Sequence, residues 1–133
     1  MVNKSYKKGY MFERQIFHLF ESAGFYCVRS AGSHGVFDII AIKHGISFGV
    51  QCKYNNHISE AEKQAMLNAY EQFGIIPIYA YRMKNKPLQL ICLIDNKVIN
   101  PRELYKLHEL YAGKALKKFI QLNGKREVKS HDR

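Results

Sequence analysis

Asp38, Gln51 and Lys53 bring a carboxylate, an amide and an amine to one place if the chain between them folds back on itself. His44-Gly45 is a hairpin-type dipeptide flanked by apolar runs, Asp38-Ile-Ile-Ala-Ile-Lys43 before it and Ile46-Ser-Phe-Gly-Val-Gln-Cys-Lys53 after it. With His44 and Gly45 as the two loop residues, Lys43 faces Ile46. Counting back along both strands, Asp38 then faces Gln51; a three-residue loop would shift this register. Directly opposed side chains lie roughly 5 Å apart at Cβ, and alternation puts Lys53 on the same face as Gln51. Both faces of the hairpin are apolar: Ile39, Ala41, Phe48 and Val50 on one, Ile40, Ile42 and Gly49 on the other. Such strands sit in the middle of a sheet covered by helices. A carboxylate there is costly unless it is paired or bound to a metal. The loop Ser30–Val36, rich in Gly and Ser, feeds Asp38 and would let backbone N–H groups approach a phosphate.

The surrounding elements must hold this hairpin in place. Phe12, Ile16, Leu19, Phe20 and Ala23 recur as one face of an α-helix that ends at Gly24. Glu13 lies beside that stripe, where an acidic residue suits a helix N-terminus as well as a site. Phe25–Arg29 reads as a short strand. Ser59-Glu-Ala-Glu62 is a capping box opening a second helix that stops at Gly74. Ile75–Tyr81 and Leu88–Ile94 read as strands, with Pro77 at a strand start or bulge and Asp95-Asn-Lys97 as a turn. A third helix is expected from about Arg102. Residues 1–9 read as a basic arm and 124–133 as a frayed tail. This predicts a single α/β domain with a central mixed sheet of about five strands flanked by helices.

The chain has 133 residues, enough for one core, and 47% are hydrophobic, too many for a disordered tail. Lys and Arg number 21 against 11 acidic residues, a net charge of +10, which favours a polyanionic partner such as nucleic acid. No apolar run approaches the roughly 20 residues that span a bilayer, so no membrane partner is expected. Cys27, Cys52 and Cys92 lack metal-type spacing and fall in apolar runs. They read as free thiols in a reducing, cytoplasmic setting.

A helix Glu, a strand Asp and a Gln-x-Lys on the adjoining strand resemble the restriction-endonuclease-like nucleases. The resemblance is closer to one family within them. Lys8-Gly9-x-x-x-Glu13-Arg14, Gly24-Phe25, Val28-Arg29-Ser-Ala-Gly-Ser33, Asp38-Ile-Ile-Ala and Phe73-Gly74-Ile-x-Pro77 look like the archaeal-type Holliday junction resolvases. The likeness covers most of residues 7–82. It implies a restriction-endonuclease-like fold and a metal-dependent endonuclease that resolves four-way DNA junctions by paired symmetric nicks. Asp38 and Gln51 would hold Mg²⁺ or Mn²⁺ through oxygen, with the Cys52 carbonyl as a further ligand. Glu13 would bind the same ion, a second one, or a coordinating water. Lys53 would orient the attacking water or stabilise transition-state charge. Lys7, Lys8, Arg14 and Arg29 would meet phosphates, Ser33 would place the scissile strand, and His34 could touch a phosphate.

The family usually carries Glu where this chain has Gln51. Glutamine keeps a carbonyl ligand but removes a negative charge, so metal affinity should fall unless Glu13 is drawn closer. Two opposed nicks require a two-fold homodimer, for which the second helix with Phe73 and the strand Ile75–Tyr81 are the expected interface. The competing readings are a restriction- or repair-type nuclease acting on duplex DNA and a degraded nuclease that only binds DNA.

Overall fold

Alternating apolar residues and a two-residue turn build the centre of the sheet first. A computed structural model describes residues 4–30 and 35–131. In it, β2 (Ile39–Lys43) and β3 (Ile46–Tyr54) form an antiparallel hairpin. Lys43 pairs with Ile46 and Ile39 with Val50, the register expected from a two-residue loop. Both loop residues take positive φ, His44 at 51° and Gly45 at 77°, as a type I′ turn demands. β1 (Tyr26–Arg29) pairs antiparallel with β2. The chain leaves β3 through α2 (Glu60–Phe73) and returns as β4 (Ile76–Arg82), parallel to β3. β5 (Gln89–Cys92) and β6 (Lys97–Ile99) then complete a six-stranded mixed sheet in sequential order.

Each sheet face has its own core. On one side α1 (Lys4–Ser22) lays Phe12, Ile16 and Phe20 against Ile39, Ala41, Phe48 and Val50. The 3₁₀ helix Pro101–Lys106 and the start of α3 (Leu107–His131) join them through Leu104, Leu107 and Tyr111. On the other side α2 contributes Met66 and Ala69, which cluster with Phe37, Tyr79 and Leu93. The capping box at Ser59 forms in full, and Gly74 closes α2 in a left-handed conformation. Burying one aliphatic or aromatic side chain contributes roughly 1.5–3 kcal/mol, so these faces fix how the helices sit relative to the hairpin. The three cysteines are free, as expected; burial raises the Cys27 thiol to about 11 and pushes Cys92 up as well.

Several expectations are corrected. The sheet has six strands, because three residues after the Asp95 turn suffice to add β6 at the edge. Residues 4–9, expected as an arm, are the first turns of α1; residues 1–3 lie outside the described residues. Glu13 therefore sits mid-helix, and the first turn of α1 holds no acidic residue, so the helix dipole does not account for Glu13. The segment expected to fray continues α3 to His131. The third helix begins as 3₁₀ at Pro101, before the α-helix proper. Pro77 lies inside β4, whose neighbours are β3 and β5. The pairing with β5 starts only at Ile78, so the N–H that Pro77 lacks falls beyond that ladder. Ile76, Ile78, Tyr79 and Ala80 are buried, so β4 is core and not a dimer surface; Phe73, at the end of α2, is exposed.

Candidate active site

The open end of the hairpin, away from the His44-Gly45 turn, gathers the polar residues. Asp38 stands one residue before β2. Its backbone is tied on both sides: its N–H donates to the Val50 carbonyl (2.8 Å) and its carbonyl accepts from the Ser30 N–H (2.9 Å). The Asp38 carboxylate accepts from the Cys52 N–H at 2.8 Å, so it lies against β3 beside Gln51. Phe37 fixes this approach. Its ring lies over Gly49, where a Cβ would come within 2.5 Å of it. Only glycine at 49 lets Phe37 fold into the α2-side core and deliver Asp38 to the strand end.

Gln51 and Lys53 share a face of β3, opposite Cys52. Glu62 in the first turn of α2 reaches both of them. Its Oε2 is 2.6 Å from the Lys53 ammonium and accepts from the Gln51 Nε2 at 3.4 Å. Its Oε1 accepts from the Ser59 N–H at 3.1 Å, closing the capping box. Tyr79 and Tyr81, the β4 partners of Gln51 and Lys53, stack at 4.7 Å between ring centres. The Tyr79 hydroxyl accepts from the Ile58 N–H and steadies the chain entering α2.

Glu13 arrives from α1. One of its oxygens accepts two bonds from Arg29, at 3.0 and 2.9 Å. The Arg29 guanidinium also lies 4.9 Å from the centre of the Tyr10 ring. Arg29, expected at a phosphate, thus holds Glu13 in this arrangement while staying partly exposed. Lys7, Lys8 and Arg14 are exposed on α1. Lys7 and Arg14, two helical turns apart, share one side of it. Ser33 and His34 lie outside the described residues.

Asp38 is half-buried among charged neighbours of both signs. Burial pushes the Asp38 carboxyl above its usual value. The Cys52 N–H pulls it down, and the charges of Glu13 and Glu62 push it up against the pull of Lys53. Burial also works to raise Glu62, but Lys53 and the Ser59 N–H and hydroxyl outweigh it and hold that carboxyl low. The Cys52 thiol, half-buried on the other face, is pushed well up by desolvation and by the charges of Asp38 and Glu13. Among the described residues no three His, Cys, Asp or Glu side chains gather closely enough to hold a metal. A cation beside Asp38 would have to draw on amide and carbonyl oxygens. That donor set, Asp38 with the Gln51 amide and the Cys52 carbonyl, is all hard oxygen and suits Mg²⁺ or Mn²⁺.

The model of the archaeal Holliday junction resolvase (Hjc) family matches residues 4–127, nearly the whole chain. The chain belongs to that family. It is similar to the crossover junction endodeoxyribonuclease Hjc of Methanocaldococcus jannaschii, 34% identical over 91 residues, which cover 65% of this chain and 68% of that protein. In architecture it is similar to the solved Hjc of Archaeoglobus fulgidus, a Holliday junction resolvase, with a TM-score of 0.55 and 20% identity over 74% of this chain and 93% of that one. The fold is the restriction-endonuclease-like α/β fold that the resemblance implied.

Within this resolvase frame, Asp38 lies against the Cys52 N–H, Gln51 and Lys53 share the Glu62 carboxylate, and Glu13 is held by Arg29. Glu62 and the stacked tyrosines were not legible as parts of the site. Glu62 carries a complete local explanation, the capping box, which hides its second role. The signal for Tyr79 and Tyr81 is their parallel register with Gln51 and Lys53, which depends on where β4 lands. No helix among the described residues is long and apolar enough to cross a membrane.

Proposed function

We propose that the protein is a metal-dependent, structure-selective endodeoxyribonuclease that resolves four-way DNA junctions by paired symmetric nicks. The observation that carries this reading is the convergence of Asp38, Gln51 and Lys53 at one strand end, in a chain of the resolvase family. The fit to Mg²⁺ or Mn²⁺ rests on the Asp38 carboxylate, whose burial and anionic neighbours favour a nearby cation. Asp38, the Gln51 amide oxygen and the Cys52 carbonyl would hold it. Glu13 would join them or bind a coordinating water, and Arg29 would then be released to a phosphate. Such an ion, when bound, would lower the pKa of a water and offset phosphate charge. Lys53 orients the nucleophile or meets the charge that develops on phosphorus oxygens. Lys7, Lys8 and Arg14 grip the backbone, and Ser33 helps to place the scissile strand.

One copy of this site cuts one strand. A four-way junction has near two-fold symmetry, so a homodimer supplies both nicks. Exposed Phe73 at the end of α2 offers an apolar contact for the second copy. Junction choice rests on shape and phosphate spacing, so binding weakens steeply with salt.

Side-by-side digestion of a synthetic four-way junction and a linear duplex, with Mg²⁺, Mn²⁺ or chelator, tests the reading. Metal-dependent paired nicks in the junction, leaving 5′-phosphates, are expected. Preference for linear duplex would make the protein a restriction- or repair-type nuclease. Junction binding with no nicking under any metal would make it a binding protein.

A further inference from the structure

Glu62 has no part in the chemistry proposed above, yet its carboxylate joins three groups, the Ser59 N–H, Lys53 and Gln51. Oε1 is held by the Ser59 N–H at the helix start, so α2 itself fixes where the carboxylate stands. Oε2 takes both the Lys53 ammonium at 2.6 Å and the Gln51 Nε2 at 3.4 Å. Only the NH₂ end of an amide can donate to a carboxylate. Glu62 therefore turns the Gln51 amide oxygen away from itself and leaves it to face a cation. A ligand fixed in this way by an outer carboxylate is also a stronger donor. From the hairpin alone, a cation between Asp38 and Gln51 would meet one formal negative charge, since glutamine brings none.

We propose that Glu62 is a positioning residue of this site. Through one oxygen it orients the Gln51 amide and the Lys53 ammonium together, and it returns to the site the negative charge that a neutral residue at 51 omits. This deepens the nuclease reading and rests on it. The three side chains form one unit: Gln51 presents oxygen to the cation, Lys53 presents its N–H bonds to the reacting phosphate, and α2 sets both angles.

Glu62→Gln is the discriminating variant, because a capping box accepts Gln at this position and the helix start survives. Mn²⁺ affinity is read from the electron paramagnetic resonance of free Mn²⁺, beside thermal melting, junction binding and nicking. E62Q should melt and bind junction like the unmutated protein. Its Mn²⁺ affinity should fall about 10–100-fold, and its nicking should fall with it. Adding Gln51→Glu to E62Q should recover most of the lost Mn²⁺ affinity, since the charge is restored one shell closer. Unchanged Mn²⁺ affinity in E62Q, or no recovery in the double variant, overturns the proposal and leaves the nuclease reading standing. If the unmutated protein neither binds Mn²⁺ nor nicks a junction, the nuclease reading falls and takes this one with it.

Discussion

Two aspartates, both partly buried beside the same sheet, have opposite surroundings. Asp95, in the turn between β5 and β6, is saturated. It accepts from the Lys97 N–H at 3.1 Å, from the Tyr111 hydroxyl at 3.1 Å and from the Lys114 ammonium at 3.2 Å. Burial works to raise its carboxyl, but these bonds outweigh burial and hold it below the usual value. Among the described residues Asp38 accepts one backbone N–H, and burial with the charges of Glu13 and Glu62 raises its carboxyl against the pull of Lys53. Among the described residues the fold completes Asp95 and leaves Asp38 unfinished. A carboxylate that the protein stabilises is part of the scaffold; one that it burdens with negative neighbours is ready for a ligand that is not protein. The two lysines at either end of the hairpin repeat the contrast. Lys43, at the turn end, is capped by the carbonyls of Ala23 (2.8 Å) and Tyr105 (2.6 Å) and staples α1 to the 3₁₀ helix. Lys53, at the open end, has among the described residues only the Glu62 carboxylate, a partner it shares with Gln51.

Substitution at the two aspartates should split activity from stability. Asp38→Asn should lower junction nicking by at least about 10²-fold, the scale of losing a group that supports transition-state charge. Its melting temperature in chelator should not fall, because the change removes a carboxylate that the fold disfavours. Added Mg²⁺ should raise the melting temperature of the unmutated protein by mass action and leave D38N unmoved. Lys53→Ala should abolish nicking to a similar extent while junction binding, measured by gel shift, stays largely intact. Asp95→Ala should do the reverse. Nicking is kept, and urea unfolding should report a loss of about 1–3 kcal/mol, because the buried Tyr111 hydroxyl and Lys114 lose their acceptor. If D95A lost nicking while D38N lost only stability, the contrast would be inverted.

Much of this was legible in the residues because it is local. The His44-Gly45 turn fixes the register of β2 and β3 by itself, and register carries Asp38 to Gln51. The apolar stripe from Phe12 to Ala23 and the Ser59 capping box likewise announce α1 and α2. The start of α1 was hidden because Lys4–Tyr10 has no apolar face to advertise. β6 was hidden because three residues after a turn carry no period. Glu62 is legible as a cap, and the cap forms; its contacts with Gln51 and Lys53 depend on where the start of α2 lies beside the end of β3, a placement no short pattern encodes. The Arg29–Glu13 pair was missed for the same reason: the sheet and α1 bring residues from distant parts of the chain together.

Smaller effects sharpen the picture. Gly49→Ala should cost about 1–3 kcal/mol as an overpacked core position, because its Cβ meets the buried Phe37 ring. It should also slow nicking, since Phe37 aims Asp38. The smallest effect is on acid unfolding. Asp95 has a lowered carboxyl, so its contribution is fully present above its unfolded value and is lost as pH falls through its folded value. The stability difference between the unmutated protein and D95A should therefore narrow below about pH 4, as followed by circular dichroism in urea at stepped pH. A difference that widens in acid would contradict the assignment.

The central claim is that a divalent cation belongs between Asp38 and Gln51. A crystal soaked in Mn²⁺ and measured for anomalous scattering tests it most directly. The account predicts a peak within bonding distance of the Asp38 carboxylate and the Gln51 amide oxygen, absent from D38N crystals. A peak at Asp95 instead, or none at the open end of the hairpin, would contradict it.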